Sequence, residues 1–444
     1  MNLLRQLQLL QEKHGYLPRE ELAALAKERG LSLAEVIGIA SFYEFFTFAP
    51  GQEREYIEKL YPCRRADILL TPPKRGFWAA LGKARTAPGG VIPDLKEAGL
   101  LGRGGGGFPV WTKWQTVRDE EADEKYVICN ADEGEPGTGK DRVLIERNPN
   151  AIIEGMAICA AAVGAKKAAV YLRGEYADLK ERLERAVREA PLGELEMEIC
   201  MGSGAYVCGE ETALIASLEG RRGEPRLKPP YPGVAGLYGK PTIVNNAETF
   251  ACVPFILEFG PESFRKRGTD DCPGTKLYTV CGKVKKPGVY ELNGGATVAQ
   301  LLEAAGGGSE TLRAVLIGGG SGSILGLDCL DMPVSPRACA ERGASFGTAS
   351  LRFIGESEDL LSLVIDLCAF YGKESCGMCV PCRVGLQRLK GLLEKVRQGR
   401  AFPEELSEIN GLSEHIRANA RCGLGQAAVT PVLSLMKNFP EVLK

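Results

Sequence analysis

Three cysteines at two-residue spacing, in Cys376-Gly377-Met378-Cys379-Val380-Pro381-Cys382, followed far downstream by Cys422, constrain this chain more than any other feature. Thiolates so spaced let one loop wrap three corners of an iron–sulfur cubane, and a remote cysteine can close the fourth. A regular helix does not suit the run, because residues three apart fan around its axis at about 100° per residue. Gly377 and Pro381 point instead to a loop at a helix start, where free backbone N–H groups can face the sulfurs. The alternatives are a structural zinc site and unbound thiols, but zinc usually takes two separate C-x2-C pairs. One four-iron, four-sulfur cluster on Cys376, Cys379, Cys382 and Cys422 is therefore expected. The other cysteines are scattered, and Cys159, Cys200 and Cys252 among them read as core filler.

The 15 cysteines are an odd number, and no basic segment followed by an apolar one opens the chain, so a disulfide framework is not expected. With 444 residues the chain predicts several structural units. Its net charge is −2 and its cations form no long basic block, which argues against nucleic acid as a partner. The most apolar window, residues 151–165, is interrupted by Glu154 and falls short of the ~18 residues a membrane span needs. A cytoplasmic protein with no membrane insertion is the expectation. The 2 histidines, His14 and His415, sit in polar stretches and read as surface residues, so histidine-based acid–base chemistry is not expected.

Residues 1–55 read as helices. Leu3, Leu4, Leu7 and Leu10 make an apolar face, Gly15 and Gly30 can end helices, and Ser32 with Glu35 matches a capping box. From 61 to 93 the chain reads as irregular and proline-rich. Residues 112–270 alternate strand and helix: Tyr126-Val127-Ile128-Cys129 and Ala168-Ala169-Val170-Tyr171-Leu172 read as buried strands, 151–165 and 176–190 as helices. That rhythm predicts a parallel sheet with helices. Residues 276–353 read as a small α+β unit of β-grasp type, with one helix over 298–305. The last stretch reads as helical and carries the cluster cysteines.

Three loops in the α/β part are unusual. Residues 102–108 contain G-x-G-x-x-G, a weak signal alone, and the preceding residues 92–101 read as a helix, so an ordinary dinucleotide fingerprint is rejected. The loop can still wrap a phosphate or lie against a flat ring, and Phe108, Trp111 and Trp114 follow too closely for a flexible linker. The strand at 126–129 runs into Asn130-Ala131-Asp132-Glu133-Gly134-Glu135, and ligands of open α/β sheets bind at such carboxyl ends. A second glycine loop, 202–212, ends in Glu210 and Glu211, and Val244-Asn245-Asn246-Ala247-Glu248-Thr249 forms a third polar cluster.

Together these loops resemble those of the NADH-binding flavoprotein subunit of bacterial respiratory complex I and of related diaphorase subunits of NAD-linked hydrogenases and formate dehydrogenases. The resemblance covers roughly residues 60–444. Residues 1–50, around Gly15-Tyr16-Leu17-Pro18 and Ser41-Phe42-Tyr43, are instead similar to the helical start of that enzyme's two-iron, two-sulfur partner subunit. The partner's cysteine-bearing part is missing, since Cys63 is the one cysteine before residue 129. The resemblance implies a Rossmann-like FMN domain (56–270), a β-grasp, ubiquitin-like domain (271–355) and a C-terminal helical bundle carrying the cluster (356–444), behind a helical docking segment (1–55). It implies FMN held by Gly102, Arg103, Gly104, Gly105, Gly107, Lys113, Asn130, Asp132, Glu133, Gly209, Glu210, Val244, Asn245, Asn246 and Thr249. NADH would lie near Phe108, Glu135, Tyr206, Glu211, Lys228 and Tyr231, with Glu133 and Glu135 as the acids of the reaction site.

Gly134, Gly139, Thr116 and Tyr231 depart from the family's common pattern of serine at 134, phenylalanine at 139 and 231, and an aromatic at 116, which touches the adenine side more than the flavin side. The activity implied is reversible hydride transfer between NADH and FMN, then single-electron transfer to the cluster and to partners. Those partners are a two-iron, two-sulfur thioredoxin-like subunit and a further redox subunit. Glu211 is expected to set a preference for NADH over NADPH. A non-catalytic scaffold that docks other subunits is the alternative, separated by FMN content and NADH oxidation.

Overall fold

The computed structural model describes residues 2–51, 68–73 and 76–443. Cys63 and the expected boundary at 55/56 lie outside the described residues. Four parallel strands, β1 (Tyr126–Ala131), β2 (Lys167–Leu172), β3 (Glu196–Met201) and β4 (Thr242–Asn246), form one sheet in the order β3-β2-β1-β4. The chain winds outward from β1 to β2 and β3, then returns to the other side of β1 for β4. The strand order therefore reverses between β1 and β4, where Asn130 pairs with Asn246. Open α/β sheets leave a crevice at the carboxyl ends of the strands at such a reversal.

Period-two alternation divides the side chains of these strands between two cores. Val127, Cys129, Ala131, Val170 and Ile243 face the helices Pro149–Val163 and Ala247–Phe259. Tyr126, Ile128, Tyr171 and Val244 face the opposite way, and there the three N-terminal helices Leu3–His14, Arg19–Arg29 and Leu33–Ala40 cover them. The apolar stripe expected for docking is thus buried inside the chain, with Leu7, Leu17 and Val36 fully covered. Any docking by this segment falls to its polar face. The expected caps are present: Gly15 and Gly30 adopt left-handed conformations, and the Ser32/Glu35 capping box forms.

The stretch expected to be irregular before residue 93 is partly helical, as Ala79–Thr86 and Pro88–Ala98. Pro88 occupies the first turn of its helix, where its missing N–H costs nothing.

A second, mixed sheet has the order β6-β5-β9-β7-β8, from β5 (Thr275–Gly282), β6 (Gly288–Asn293), β7 (Leu312–Ile317), β8 (Ser323–Gly326) and β9 (Leu351–Gly355). Its central pair, β5 and β9, is parallel, and its other pairs are antiparallel. The helices Leu360–Lys373, Gly385–Arg397, Pro403–Asn419 and Thr430–Asn438 follow. They share a core with Ala314, Leu316 and Ile324 of the second sheet and with Val207 and Ala213 of the first unit. Among the described residues no helix is long and apolar enough to cross a membrane.

Candidate cofactor site at the strand reversal

The glycine loop closes on itself through Gly102 N–H to the Phe108 carbonyl (2.9 Å). Gly105 and Gly107 take positive φ, which L side chains rarely adopt, and a Cβ at Gly106 or Gly107 would meet no atom within 4 Å. The loop thus offers bare backbone to an open space. Gly104 lies against Asn246 at the end of β4, and the Arg103 amide donates to Thr249 Oγ1 (2.9 Å). Both expected partners of the loop therefore stand beside it.

The Arg103 side chain points the other way. Its buried guanidinium binds Glu248 (3.1 Å) and the carbonyls of Pro273 and Thr275. Glu248 also receives Lys140 (3.1 Å) and Lys276 (2.6 Å), all of them buried. Burial alone would push the Glu248 carboxyl up, but these three cations outweigh it and hold it far below the usual range. Lys140 further bonds Asp141 (2.7 Å) and Asn246 Oδ1 (3.0 Å). The floor of the crevice is an ion network joining the glycine loop, the loop after β1, the end of β4 and strand β5. Lys140 and Lys276 are site residues that sequence reasoning misses, because a buried lysine in a polar segment carries no local signal of its partner, here the Glu248 of the third polar cluster.

At the end of β1, Asn130 Nδ2 donates to the Gly209 carbonyl (2.8 Å), drawing the second glycine loop to the strand end. Asp132 is half-buried, but its Oδ2 is covered and has no hydrogen-bond partner among the described residues, and desolvation pushes its pKa up to about 8. An unpartnered buried oxygen is costly, and its place at a strand end suits a bound polyol. Glu133 turns away from the crevice. It caps the helix Lys140–Arg147 through the amides of Asp141 (2.9 Å) and Arg142 (3.2 Å) and accepts from Tyr176 (3.0 Å). Glu135 accepts from Tyr206 (2.6 Å), from Ser321 N (2.6 Å) and Oγ (2.7 Å), and from Tyr371 (3.1 Å). It thereby ties the first unit to both later ones. Gly134 is confined too, since a Cβ there would stand 2.7 Å from the Tyr206 ring.

Lys113 reaches Glu211 (2.8 Å) and the Val244 carbonyl (3.4 Å), and Lys228 bridges Glu211 (2.9 Å) and Glu210 (3.2 Å). Glu210 also caps the helix Glu211–Leu218. Asn245 accepts from Trp114 Nε1 (2.9 Å), so its side chain fixes the helix Val110–Asp119. Phe108 and Tyr231 remain 50% and 59% exposed, leaving apolar ring faces open.

The four cysteines come together at the end of the helix Leu360–Lys373. Cys376, Cys379 and Cys422 are near enough to Cys382 to disfavour its ionisation. Cys379 and Cys422 are each the residue before a short helix, as a loop at helix starts requires; burial pushes the Cys422 thiol up, and the nearby Gly425 and Leu424 amides draw it down. Among the described residues no three such side chains converge on a single-ion site. A cubane spreads its thiolates over a wider span than one zinc ion does. Glu374, next to this loop, accepts from the Tyr206 amide (2.9 Å), so one residue touches both Glu135 and the cluster loop.

Four known families match. The Nuo51 FMN-binding domain matches residues 95–255, the SLBB domain 277–324, and the NADH-ubiquinone oxidoreductase-F iron-sulfur binding region 362–444. The thioredoxin-like 2Fe-2S ferredoxin family matches residues 1–58. The second F-type component of the NADH-quinone oxidoreductase of Rhizobium meliloti is 41% identical over 84% of this chain and 92% of its own. The alpha subunit of the NAD-reducing hydrogenase HoxS of Cupriavidus necator is 44% identical over 80% of this chain and 60% of its own. The crystal structure of an air-oxidised NAD+-reducing NiFe-hydrogenase superposes with a TM-score of 0.89 at 32% identity, covering 98% of this chain and 92% of that one. With the glycine loop, the strand-end residues and the four thiols placed as they are, the chain belongs to the family of NADH-oxidising FMN and iron–sulfur flavoproteins that includes the F-type component of NADH-quinone oxidoreductase.

Proposed function

We propose that the chain oxidises NADH on FMN seated at the strand reversal and passes the electrons singly to a four-iron cluster on Cys376, Cys379, Cys382 and Cys422. When bound, FMN supplies a ring that takes up a hydride and gives up electrons one at a time, which the cluster can accept. The observation that carries this reading is the Tyr206 loop, which bonds Glu135 on one side and Glu374 on the other and so spans the two cofactor sites.

The bare amides of residues 104–107 and the open space above them suit a phosphate or the edge of a flat ring. Asp132 Oδ2 is available to a flavin hydroxyl, and Asn130 and Asn246 hold the shelf beside it. Lys113 and Lys228 line the nucleotide side of the pocket, both paired with Glu211 and Lys228 also with Glu210. Phe108 and Tyr231 offer ring faces to the nucleotide bases. Arg103 and Glu133 act through other residues, the first by anchoring the glycine loop and the second by capping a helix.

We read the first sheet as Rossmann-like and the second as β-grasp, with unit boundaries at 55/56, 270/271 and 355/356. A cytoplasmic complex is the proposed setting. Its other members would be a two-iron, two-sulfur thioredoxin-like subunit and a further redox subunit of the hydrogenase, formate dehydrogenase or complex I kind. Anaerobically purified protein should contain one FMN and about four irons and reduce an artificial dye with NADH. Zinc without iron would refute the cluster, and bound FMN without NADH oxidation would favour a scaffold.

A further inference from the structure

The N-terminal segment matches a ferredoxin family over residues 1–58, yet no cysteine occurs in that stretch. It can hold no cluster of its own, and what remains for it is what it touches. Its last part, residues 42–46, lies against the loop that carries Tyr206, Gly209, Glu210 and Glu211. The amides of Glu44 and Phe45 donate to the carbonyls of Gly204 (3.3 Å) and Ser203 (3.1 Å). The Phe45 ring fills a cradle formed by two glycines, since a Cβ at Gly174 or Gly204 would come within 2.4 and 2.3 Å of it. From the first helix, Gln8 Nε2 donates to the Met201 carbonyl (2.8 Å) and to Ser203 Oγ (2.9 Å). On the other side Glu44 pairs with Lys373 (3.0 Å), the residue before Glu374. The loop is therefore clamped between the N-terminal segment and the end of the helix Leu360–Lys373, which precedes the cysteine loop.

We propose that residues 42–46, with Gln8, form a built-in positioning element for the nucleotide pocket, a wedge that sets where the Tyr206–Glu211 loop stands. This role rests on the NADH and FMN chemistry proposed for the pocket. A loop of glycines held from one side only can sample many backbone states, and each must be lost again when nucleotide binds. Seating it on Phe45 removes that cost beforehand, which tightens binding without touching the reacting atoms. A segment related to a separate ferredoxin thus serves the nucleotide site in cis.

The test uses the full-length holoprotein with NADH and an artificial dye. Phe45→Ala should raise KM for NADH about tenfold while kcat per bound FMN stays within about twofold, the pattern of lost ground-state binding. FMN and iron contents should match the parent protein, and the cluster's electron paramagnetic resonance signal should shift through the Tyr206–Glu374 contact. Phe45→Leu should restore most of the affinity. Gln8→Ala, which removes only a partly exposed amide, should raise KM about threefold and keeps the test open if Phe45→Ala does not fold. Unchanged KM in Gln8→Ala and in any folded Phe45 variant, with only a lower unfolding midpoint, would overturn the wedge. An unsubstituted holoprotein unable to oxidise NADH would instead refute the proposed function itself.

Discussion

Glu211 stands between two lysines, and that placement refines what it can do. Burial would push its carboxyl up, but Lys113 and Lys228 outweigh it and hold the group below the usual carboxylate range, so it stays ionised. A 2′-phosphate brought to this pocket meets the carboxylate, while the two cations are already engaged by it. Glu211→Gln should release Lys113, loosen Lys228, which Glu210 still holds, and raise kcat/KM for NADPH relative to NADH, measured on the same preparation. An unchanged ratio would remove Glu211 from the discrimination. At the cluster, Cys379→Ser should abolish the resonance signal of the reduced cluster while FMN remains bound and is still reduced by NADH. A surviving signal would show that Cys379 is not a ligand.

At the scale of elements, the helix Lys140–Arg147 depends on an acid outside it. Glu133 caps its first amides from a buried position, and burial, with Asp141 nearby, pushes the Glu133 carboxyl from 4.5 up to about 7. The folded protein then holds a proton that the unfolded chain has released, over the interval from about pH 5 to about pH 7. Stability contributed here falls as pH rises through that window and levels off above it. Asp132, pushed up to about 8, adds in the same direction. The unfolding midpoint of FMN-free protein should therefore drop between about pH 5 and pH 8, and Glu133→Gln should flatten that slope, because its amide oxygen keeps one of the two capping bonds and the titration is gone. An identical slope in the variant would assign the pH dependence to other groups.

At the scale of the whole molecule, the N-terminal helices belong to the fold. They put Leu7, Leu17, Leu22, Val36 and Tyr43 against one face of the parallel sheet. Each large apolar side chain so buried is worth about 1.5–3 kcal/mol, and together they rival the ~5–15 kcal/mol by which a domain is stable. Removing residues 2–48 should therefore yield protein that aggregates and retains little FMN, as judged by size-exclusion chromatography and flavin absorbance. A monodisperse, flavin-loaded truncation would return the segment to a docking role alone. Glu135 makes a similar point for the later units, since it accepts from Ser321 and Tyr371, 186 and 236 positions away.

Short-range signs are legible in the sequence. The glycines at 15 and 30, the Ser32/Glu35 box and the apolar run of β1 each act within a few residues, and each appears in the structure where its spacing requires. The strand β3 is not legible, because Glu196-Met197-Glu198 mixes acids with apolar residues at a sheet edge, where one side stays wet. Where long side chains point is settled by packing across the chain. Arg103 sits in a loop that suggests ligand binding, yet its guanidinium is drawn down to Glu248, a residue 145 positions away. The N-terminal stripe reads as a free docking face for the same reason: a periodic apolar pattern states that something will cover it, and only the packed chain shows that the cover is its own sheet.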